Sequence, residues 1–328
     1  MNESFNILFT SAGRRVALIR LFRQALDAIR LPGKLVAADV CGTAPARFVC
    51  DVFEEVSPVG SRDYVDRLCE ICRKHRIRLA VPLIDTELQL LARHREKFLA
   101  DGITPLVSSS EVNQLSNDKR LTQSFFGKAG MATPGILDPR TVLTDTRASY
   151  PFFLKPACGS SSVGATRIDN RRQLEFFLNC TPDPVLQEFV AGQEYTLDIL
   201  ADFAGRVRCV VPRRRIETRA GEVSKGMTFK NQALIAAGKA VVEALPGAVG
   251  CITVQCFLTP QGEIQFIEIN PRFGGGFPLS AQAGADFPRW IIEMMLGRDP
   301  QIALDGWIDG LLMLRFDDAV FVKREGIM

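Results

Sequence analysis

The stretch Ile264-Gln265-Phe266-Ile267-Glu268-Ile269-Asn270-Pro271-Arg272 sets a carboxylate and an amide two positions apart on an apolar strand. Residues i and i+2 of a strand face the same way, so Glu268 and Asn270 can share one ligand. A second run, Thr253-Val254-Gln255-Cys256-Phe257-Leu258, precedes it across Thr259-Pro260-Gln261-Gly262, whose Pro and Gly suit a hairpin turn. Symmetric closure of that loop pairs Leu258 with Glu263 and Gln255 with Phe266. Gln255 then lies diagonal to Glu268 at roughly 7 to 8 Å. Gln255, Glu268 and Asn270 would offer three hard oxygen donors on one face, a set suited to Mg²⁺ or Mn²⁺ that also binds phosphate oxygens. A merely solvated polar strand end is the competing reading, and the rest of the chain has to choose.

The 328 residues exceed one ordinary core and fit two or three lobes. Hydrophobic residues at 47% and charged residues at 23% are those of a folded protein, and a net charge of +3 does not suggest a nucleic-acid binder. Met1-Asn2-Glu3-Ser4 lacks a basic leader, and no apolar run is long enough to span a membrane, so the expectation is no membrane association and a cytoplasmic location. Nine cysteines, an odd number scattered through apolar segments, read as reduced thiols. Cys69 and Cys72 form a C-x-x-C inside a helical pattern with no second pair nearby, which points to an inert helix face. His75 and His94 are the only histidines, both expected at the surface, so histidine catalysis is not expected.

The first third alternates strands and amphipathic helices. Strands are expected at 5–10, 35–38, 52–56, 79–82 and 104–107, with helices near 15–29, 62–74 and 86–99. That rhythm predicts a parallel, Rossmann-like α/β domain with ligands at its strand ends. Ser11-Ala12-Gly13-Arg14-Arg15 follows the first strand; its arginines and helix N-terminus either hold an anion or Gly13 only makes the turn. No G-x-G-x-x-G is present. Asp85 or Thr86 is expected to cap the helix after Val81-Pro82-Leu83-Ile84, with Asp85 and Glu87 as candidate partners for a cationic amine. A polar helix over 116–129 carries Asp118 and Lys119, and Met131-Ala132-Thr133-Pro134-Gly135 then breaks the pattern. The expected division is 1–115, 116–190 and 191–328.

Lys155 interrupts the apolar strand Tyr150-Pro151-Phe152-Phe153-Leu154-Lys155-Pro156, which runs into Gly159-Ser160-Ser161-Ser162-Val163-Gly164. Such a loop can fold backbone N–H groups over phosphates while Lys155 adds a point charge; alternatively it is an ordinary hairpin turn. Val185-Leu186-Gln187-Glu188-Phe189-Val190 and Gln193-Glu194-Tyr195-Thr196-Leu197-Asp198-Ile199 flank Ala191-Gly192, either as a nucleotide-binding hinge or as a β-hairpin. Between Arg206 and Lys230, eight Lys/Arg face only Glu217 and Glu222. Arg213 and Arg215 share a strand face, and Lys225 beside Gly226 is a candidate for a mobile cover. Phe273-Gly274-Gly275-Gly276-Phe277-Pro278 allows close backbone approach to a substrate, or simply bends.

In this order the pieces resemble the ATP-grasp superfamily, especially the branch similar to the carbamoyl-phosphate synthetase large subunit. The motifs run from Lys119 to Arg272. The resemblance implies an ATP-grasp fold, α/β and α+β, behind a Rossmann-like pre-ATP-grasp domain, and ATP with Mg²⁺ or Mn²⁺ as cofactors. It implies Lys119 and Lys155 on the phosphates under Ser160, Ser161 and Ser162. It also implies Gln187, Glu188 and Val190 at adenine, Glu194 at ribose, and Gln255, Glu268 and Asn270 at the metal. The implied reaction is carboxylate–amine ligation through an acyl phosphate, with Arg272, Arg215 and Lys155 as the catalytic cations. Arg14, Arg15, Asp85, Glu87, Arg213, Lys225 and Gly275 are candidate substrate contacts, the leading substrate guess being an amino acid. The implied partners are a small carboxylate and an amine, with a homodimer possible. The alternatives are activation of bicarbonate or carbamate, against which only one synthetase-like unit is present, and a non-catalytic ATP-binding regulator.

Overall fold

The computed structural model describes residues 4–159, 163–219 and 221–323. Strands β1 (Asn6–Thr10), β2 (Leu35–Asp39), β3 (Val52–Glu55), β4 (Ile77–Pro82) and β5 (Thr104–Pro105) form a parallel sheet in the order β3-β2-β1-β4-β5. β1 and β2 are buried at every position, as expected of a parallel sheet covered on both faces. The right-handed crossover rule leaves the loops after β1 and β4 side by side at one sheet end.

A second, antiparallel sheet orders β6 (Ile136–Leu137), β7 (Phe152–Pro156), β8 (Thr166–Ile168) and β9 (Pro184–Glu188) as β6-β9-β7-β8. The third contains β10 (Gln193–Ala201), β11 (Val207–Arg219), β12 (Glu222–Thr228), β13 (Gly250–Leu258), β14 (Ile264–Asn270) and β15 (Leu312–Leu314), ordered β14-β13-β10-β11-β12-β15. Because β9 and β10 lie in different sheets, the segment 189–192 is a link between sheets, which excludes the β-hairpin reading. Gly192 is required there: a Cβ would stand 2.8 Å from the Leu258 carbonyl oxygen.

One apolar core runs continuously from the first sheet to the third, joined by Phe22, which meets Phe9 at 5.2 Å and Phe273 at 5.8 Å between ring centroids. The second sheet has its own small core of Val142, Phe152, Leu154, Ile168, Leu174 and Leu186. The expected helix over 116–129 is two helices, Ser110–Asn117 and Lys119–Lys128, because Asp118 turns extended and its side chain caps the second through Arg120 N–H at 2.8 Å. Ser110–Asn117 therefore runs through the division expected at 115. The helix expected over 86–99 likewise breaks at His94 into Asp85–Arg93 and Arg95–Ala100. Neither Asp85 nor Thr86 caps it; Glu87 does so by accepting from the Leu83 and Ile84 N–H groups at 2.9 and 3.4 Å. His75 is not a surface residue: its Nε2 lies 2.6 Å from Glu54 Oε1, with the side chain half-buried. Cys69 and Cys72 are buried in helix Tyr64–Lys74. No helix among the described residues is long and apolar enough to cross a membrane.

Candidate active site

The hairpin β13–β14 closes one residue later than symmetric closure predicts. Leu258 pairs with Ile264, and the turn is held by Thr259 N–H to Glu263 O and Gly262 N–H to Thr259 O, both 2.9 Å. That register alone would set Gln255 opposite Ile267 and turn Glu268 to the far face. A bulge after the Cys256–Phe266 pair absorbs Ile267 and sets Gln255 directly opposite Glu268. The pairing continues as Thr196 opposite Gln255 and Arg213 opposite Thr196. Glu268, Gln255, Thr196 and Arg213 thus form one row across four adjacent strands.

Two clefts meet at this row. The first, with a cavity of about 250 Å³, lies between the second and third sheets and is lined by Lys119, Lys155, Gln187, Glu188, Val190, Glu194, Gln255 and Glu268. Pro134, Phe153, Val163, Phe189, Phe257 and Ile267 supply its apolar walls. Phe153 and Phe257 escaped the sequence reading, yet each lies two positions from a named residue, Lys155 or Gln255, and so faces the same way. Ser160, Ser161 and Ser162 lie outside the described residues. Lys119 Nζ donates to Gly159 O at 2.9 Å, tying its helix to the glycine loop. The Glu188 carboxylate accepts from Gly135 N–H at 2.9 Å, tying the end of β9 to the segment before β6.

Lys155 is buried, and its ammonium has no hydrogen-bond partner among the described residues. Burial lowers its pKa to about 8; Lys119 pushes the same way and Glu268 opposes. Burial pushes the Glu194 carboxyl up, against the pull of Arg215, and the charge of Glu268 pushes it further. Repulsion between Glu194 and Glu268, with the amide oxygens of Gln255 and Asn270 beside Glu268, suits a hard divalent cation. The residues present therefore fit such an ion.

The second cleft lies between the first and third sheets. Arg15, Asp85, Thr196, Arg213, Arg215, Glu222, Thr253, Gln255, Glu268, Asn270, Arg272 and Gly274–Gly276 line it. Gln255 and Glu268 belong to both clefts. Arg272 ion-pairs with Asp85, bringing the start of helix Asp85–Arg93 onto the third sheet. Arg215 Nε lies 3.0 Å from Glu194 Oε1. Arg213 is held by both oxygens of Asp198, at 2.7 and 3.0 Å, and Ser280 Oγ donates to the same carboxylate at 2.6 Å. Asp198 and Ser280 were not singled out in the sequence; only the period-two spacing Glu194, Thr196, Asp198 hinted at the first.

Three sequence candidates lie elsewhere. Glu87 is fully buried, accepting from Tyr64 Oη at 2.7 Å and Ser11 Oγ at 3.1 Å as well as from its helix start. Its carboxylate supports the first domain and lines neither cleft. Arg14 is exposed beyond the cleft lining. Lys225, on β12 between β11 and β15, pairs with Glu217 across the strands, Nζ to Oε2 2.7 Å, as an exposed ion pair outside the cleft lining.

Two family models match the chain: the PylC-like N-terminal domain over residues 7–106, and the ATP-grasp of the biosynthetic pathway with Ter operon over residues 181–313. The chain belongs to the ATP-grasp superfamily. The 3-methyl-D-ornithine–L-lysine ligase of Methanosarcina mazei is 30% identical over 115 residues, 35% of this chain. That match covers only 27% of the relative's length. The D-alanine–D-alanine ligase of Azoarcus sp. is 27% identical over 218 residues, 60% of this chain and 72% of that protein. An N5-carboxyaminoimidazole ribonucleotide synthetase, solved with ADP, shares the fold at a TM-score of 0.74 and 17% identity, over 96% of this chain and 82% of that one. The biotin carboxylase domain of the Hydrogenobacter thermophilus 2-oxoglutarate carboxylase, solved with MgADP and bicarbonate, superposes at 0.70 and 19% identity, over 92% and 72%. In this ATP-grasp chain the first cleft occupies the junction of the two antiparallel sheets, and the second adjoins the PylC-like domain.

Proposed function

We propose that this ATP-grasp protein is an ATP-dependent carboxylate–amine ligase. The observation that carries the reading is the sharing of Gln255 and Glu268 by two clefts of different character. One has apolar walls and a buried lysine suited to a nucleotide; the other is polar and rich in arginine, suited to an anionic substrate. In the proposal the apolar walls take adenine beside Gln187, Glu188 and Val190, and Glu194 takes the ribose. Lys119 and Lys155 hold the phosphates. Gln255, Glu268 and Asn270 hold Mg²⁺ or Mn²⁺, which when bound neutralises phosphate charge.

A substrate carboxylate oxygen attacks the γ-phosphorus as the bond to the β-bridging oxygen breaks, releasing ADP and leaving an acyl phosphate. An amine then attacks the acyl carbon; the C–O bond to phosphate breaks, inorganic phosphate leaves and the amine loses a proton. Positioning and charge neutralisation dominate such transfers, which suits Arg215 and Arg272 at the junction and needs no histidine. The cytoplasm, supplied with ATP, is the proposed location, and the partners are small molecules.

The test is ADP formation from MgATP with pools of amino acids, amines and bicarbonate, with Glu268→Ala as control. One acid and amine pool should drive turnover, and the variant should lose at least a hundredfold of it, the scale of removing a principal charge-stabilising group. Turnover with bicarbonate alone would replace the reading by carbamoyl-type activation. Nucleotide binding without turnover across all pools would reduce it to ATP binding.

A further inference from the structure

Three of the four arginines around the second cleft already have carboxylate partners: Arg213 with Asp198, Arg215 with Glu194, and Arg272 with Asp85. Arg15 differs. Its Nη2 donates to two main-chain carbonyls, Leu83 O at 3.2 Å and Phe273 O at 3.0 Å, and no carboxylate among the described residues pairs with it. Its Nε and Nη1 have no acceptor there and are not among the nitrogens sealed from solvent, whereas Nε of Arg215 and of Arg272 are sealed. The carbonyl contacts pin the guanidinium between the end of β4 and the glycine turn, so its remaining donors are aimed rather than mobile.

The surroundings strengthen the positive field at this end. Burial pushes the Glu222 carboxyl up, but the hydrogen bond from Arg315 and the charges of Arg15, Arg315 and Arg14 outweigh it and hold it below its usual range. Glu222 thus feels three guanidinium groups at once. For Arg15 itself, burial and then the neighbouring Arg272 lower the pKa to about 10, and the charges of Glu222 and Asp85 oppose this without cancelling it. Gly275 lies under Glu222, where a Cβ would come within 2.9 Å of the carboxyl carbon, so the cleft wall here is bare backbone.

Given the ligase reading on which this rests, the reacting carboxylate occupies the inner end beside Gln255 and Glu268. We propose that the acid this protein activates carries a second anionic group, and that Arg15 binds it at the outer end of the cleft. The substrate class is an acid with two anionic groups, such as an amino diacid. With Nη2 engaged, the open Nε and Nη1 donors each offer a single charge-assisted contact that a carboxylate or a phosphoryl oxygen accepts equally well, and the test separates the two.

The test is ADP release with hydroxylamine as a small general nucleophile, comparing aspartate and glutamate with asparagine and glutamine, which have the same shape without the second charge. Phosphoserine distinguishes a phosphoryl group from a carboxylate. The expected result is a kcat/KM at least tenfold higher for one dianionic acid than for its neutral counterpart. In Arg15→Met that advantage should vanish, with KM rising on the order of a hundredfold, the loss of a buried charge-assisted contact. Arg15→Lys should recover part of the KM and keeps the test open if the methionine variant does not fold. A preference for monoanionic acids, or a dianion preference that survives both variants, would overturn the proposal.

If no acid drives turnover, the ligase reading has failed and calorimetry of the same acids on the MgADP complex decides the site by itself. Arg15-dependent binding of a dianion supports it, and absence of any such binding overturns it.

Discussion

Lys155 sits in the first cleft as a buried ammonium with no hydrogen-bond partner among the described residues, its pKa lowered to about 8 mainly by desolvation. Its cationic form is complete below that pH and is lost as the pH rises through it. A bound polyphosphate favours the cation, so nucleotide binding above this point must take up a proton. The phosphate groups lose their last proton near pH 6 and contribute no further change there. Nucleotide Kd, measured by calorimetry at fixed Mg²⁺, should be flat from about pH 7 to 8 and weaken by up to about tenfold per unit above it. Lys155→Met should bind more weakly at pH 7 and lose that dependence; an unchanged slope in the variant would assign the titration to another group. A lysine in an apolar strand is conspicuous in a sequence. The burial that lowers its pKa is not, since it depends on β9, Glu268 and Lys119 arriving from elsewhere.

The hairpin β13–β14 shows how an element reaches the right face by an unexpected route. Alternation of polar and apolar residues named Gln255, Glu268 and Asn270 as one set, but the loop is longer by Glu263 and the bulge at Ile267 corrects the face. Two compensating shifts preserve the arrangement that one shift would have destroyed. The glycine turn after β14 is constrained as tightly. A Cβ on Gly276 would stand 2.3 Å from Arg213 Nη1 and 2.5 Å from Val223 Cγ1, and Arg213 cannot yield without losing its Asp198 bonds. Gly276→Ala should lower stability by about 1–3 kcal/mol in urea titration, the usual cost of overpacking. Gly60→Ala has nothing within 4 Å and should change it by less than about 0.5 kcal/mol. Equal effects at the two positions would contradict the packing described at Arg213.

The first and third sheets share one apolar core, while the second carries a separate one, so the first cleft opens between two separately packed bodies linked through 189–192. A ligand spanning that cleft stabilises only the folded, apposed arrangement. MgATP at about a hundred times its Kd should add about 2.7 kcal/mol, raising the melting temperature by roughly 5 °C. The shift should be much smaller in Lys155→Met at the same ligand concentration. An equal shift in that variant would place the nucleotide away from Lys155. Across the other cleft, the Asp85–Arg272 pair and the Phe22–Phe273 contact fasten the N-terminal domain to the third sheet.

Local pattern alone determined much of this protein. The parallel α/β start, the hinge candidates and the i, i+2 sets on β11 and β14 follow from periodicity and turn chemistry, which act between near neighbours, while the ATP-grasp likeness rests on the order of the motifs. Only the tertiary structure decided which charges remain available. Glu87 looked like a ligand and is consumed by Tyr64, Ser11 and its own helix start. Arg213 looked like a free cation and is held by Asp198, fifteen positions away. Arg15 keeps open donors because Leu83 and Phe273 present carbonyls rather than carboxylates. A side chain's charge is written in the sequence, but its partner is set by long-range packing, and in a low-dielectric cleft the partner decides whether that charge is spent.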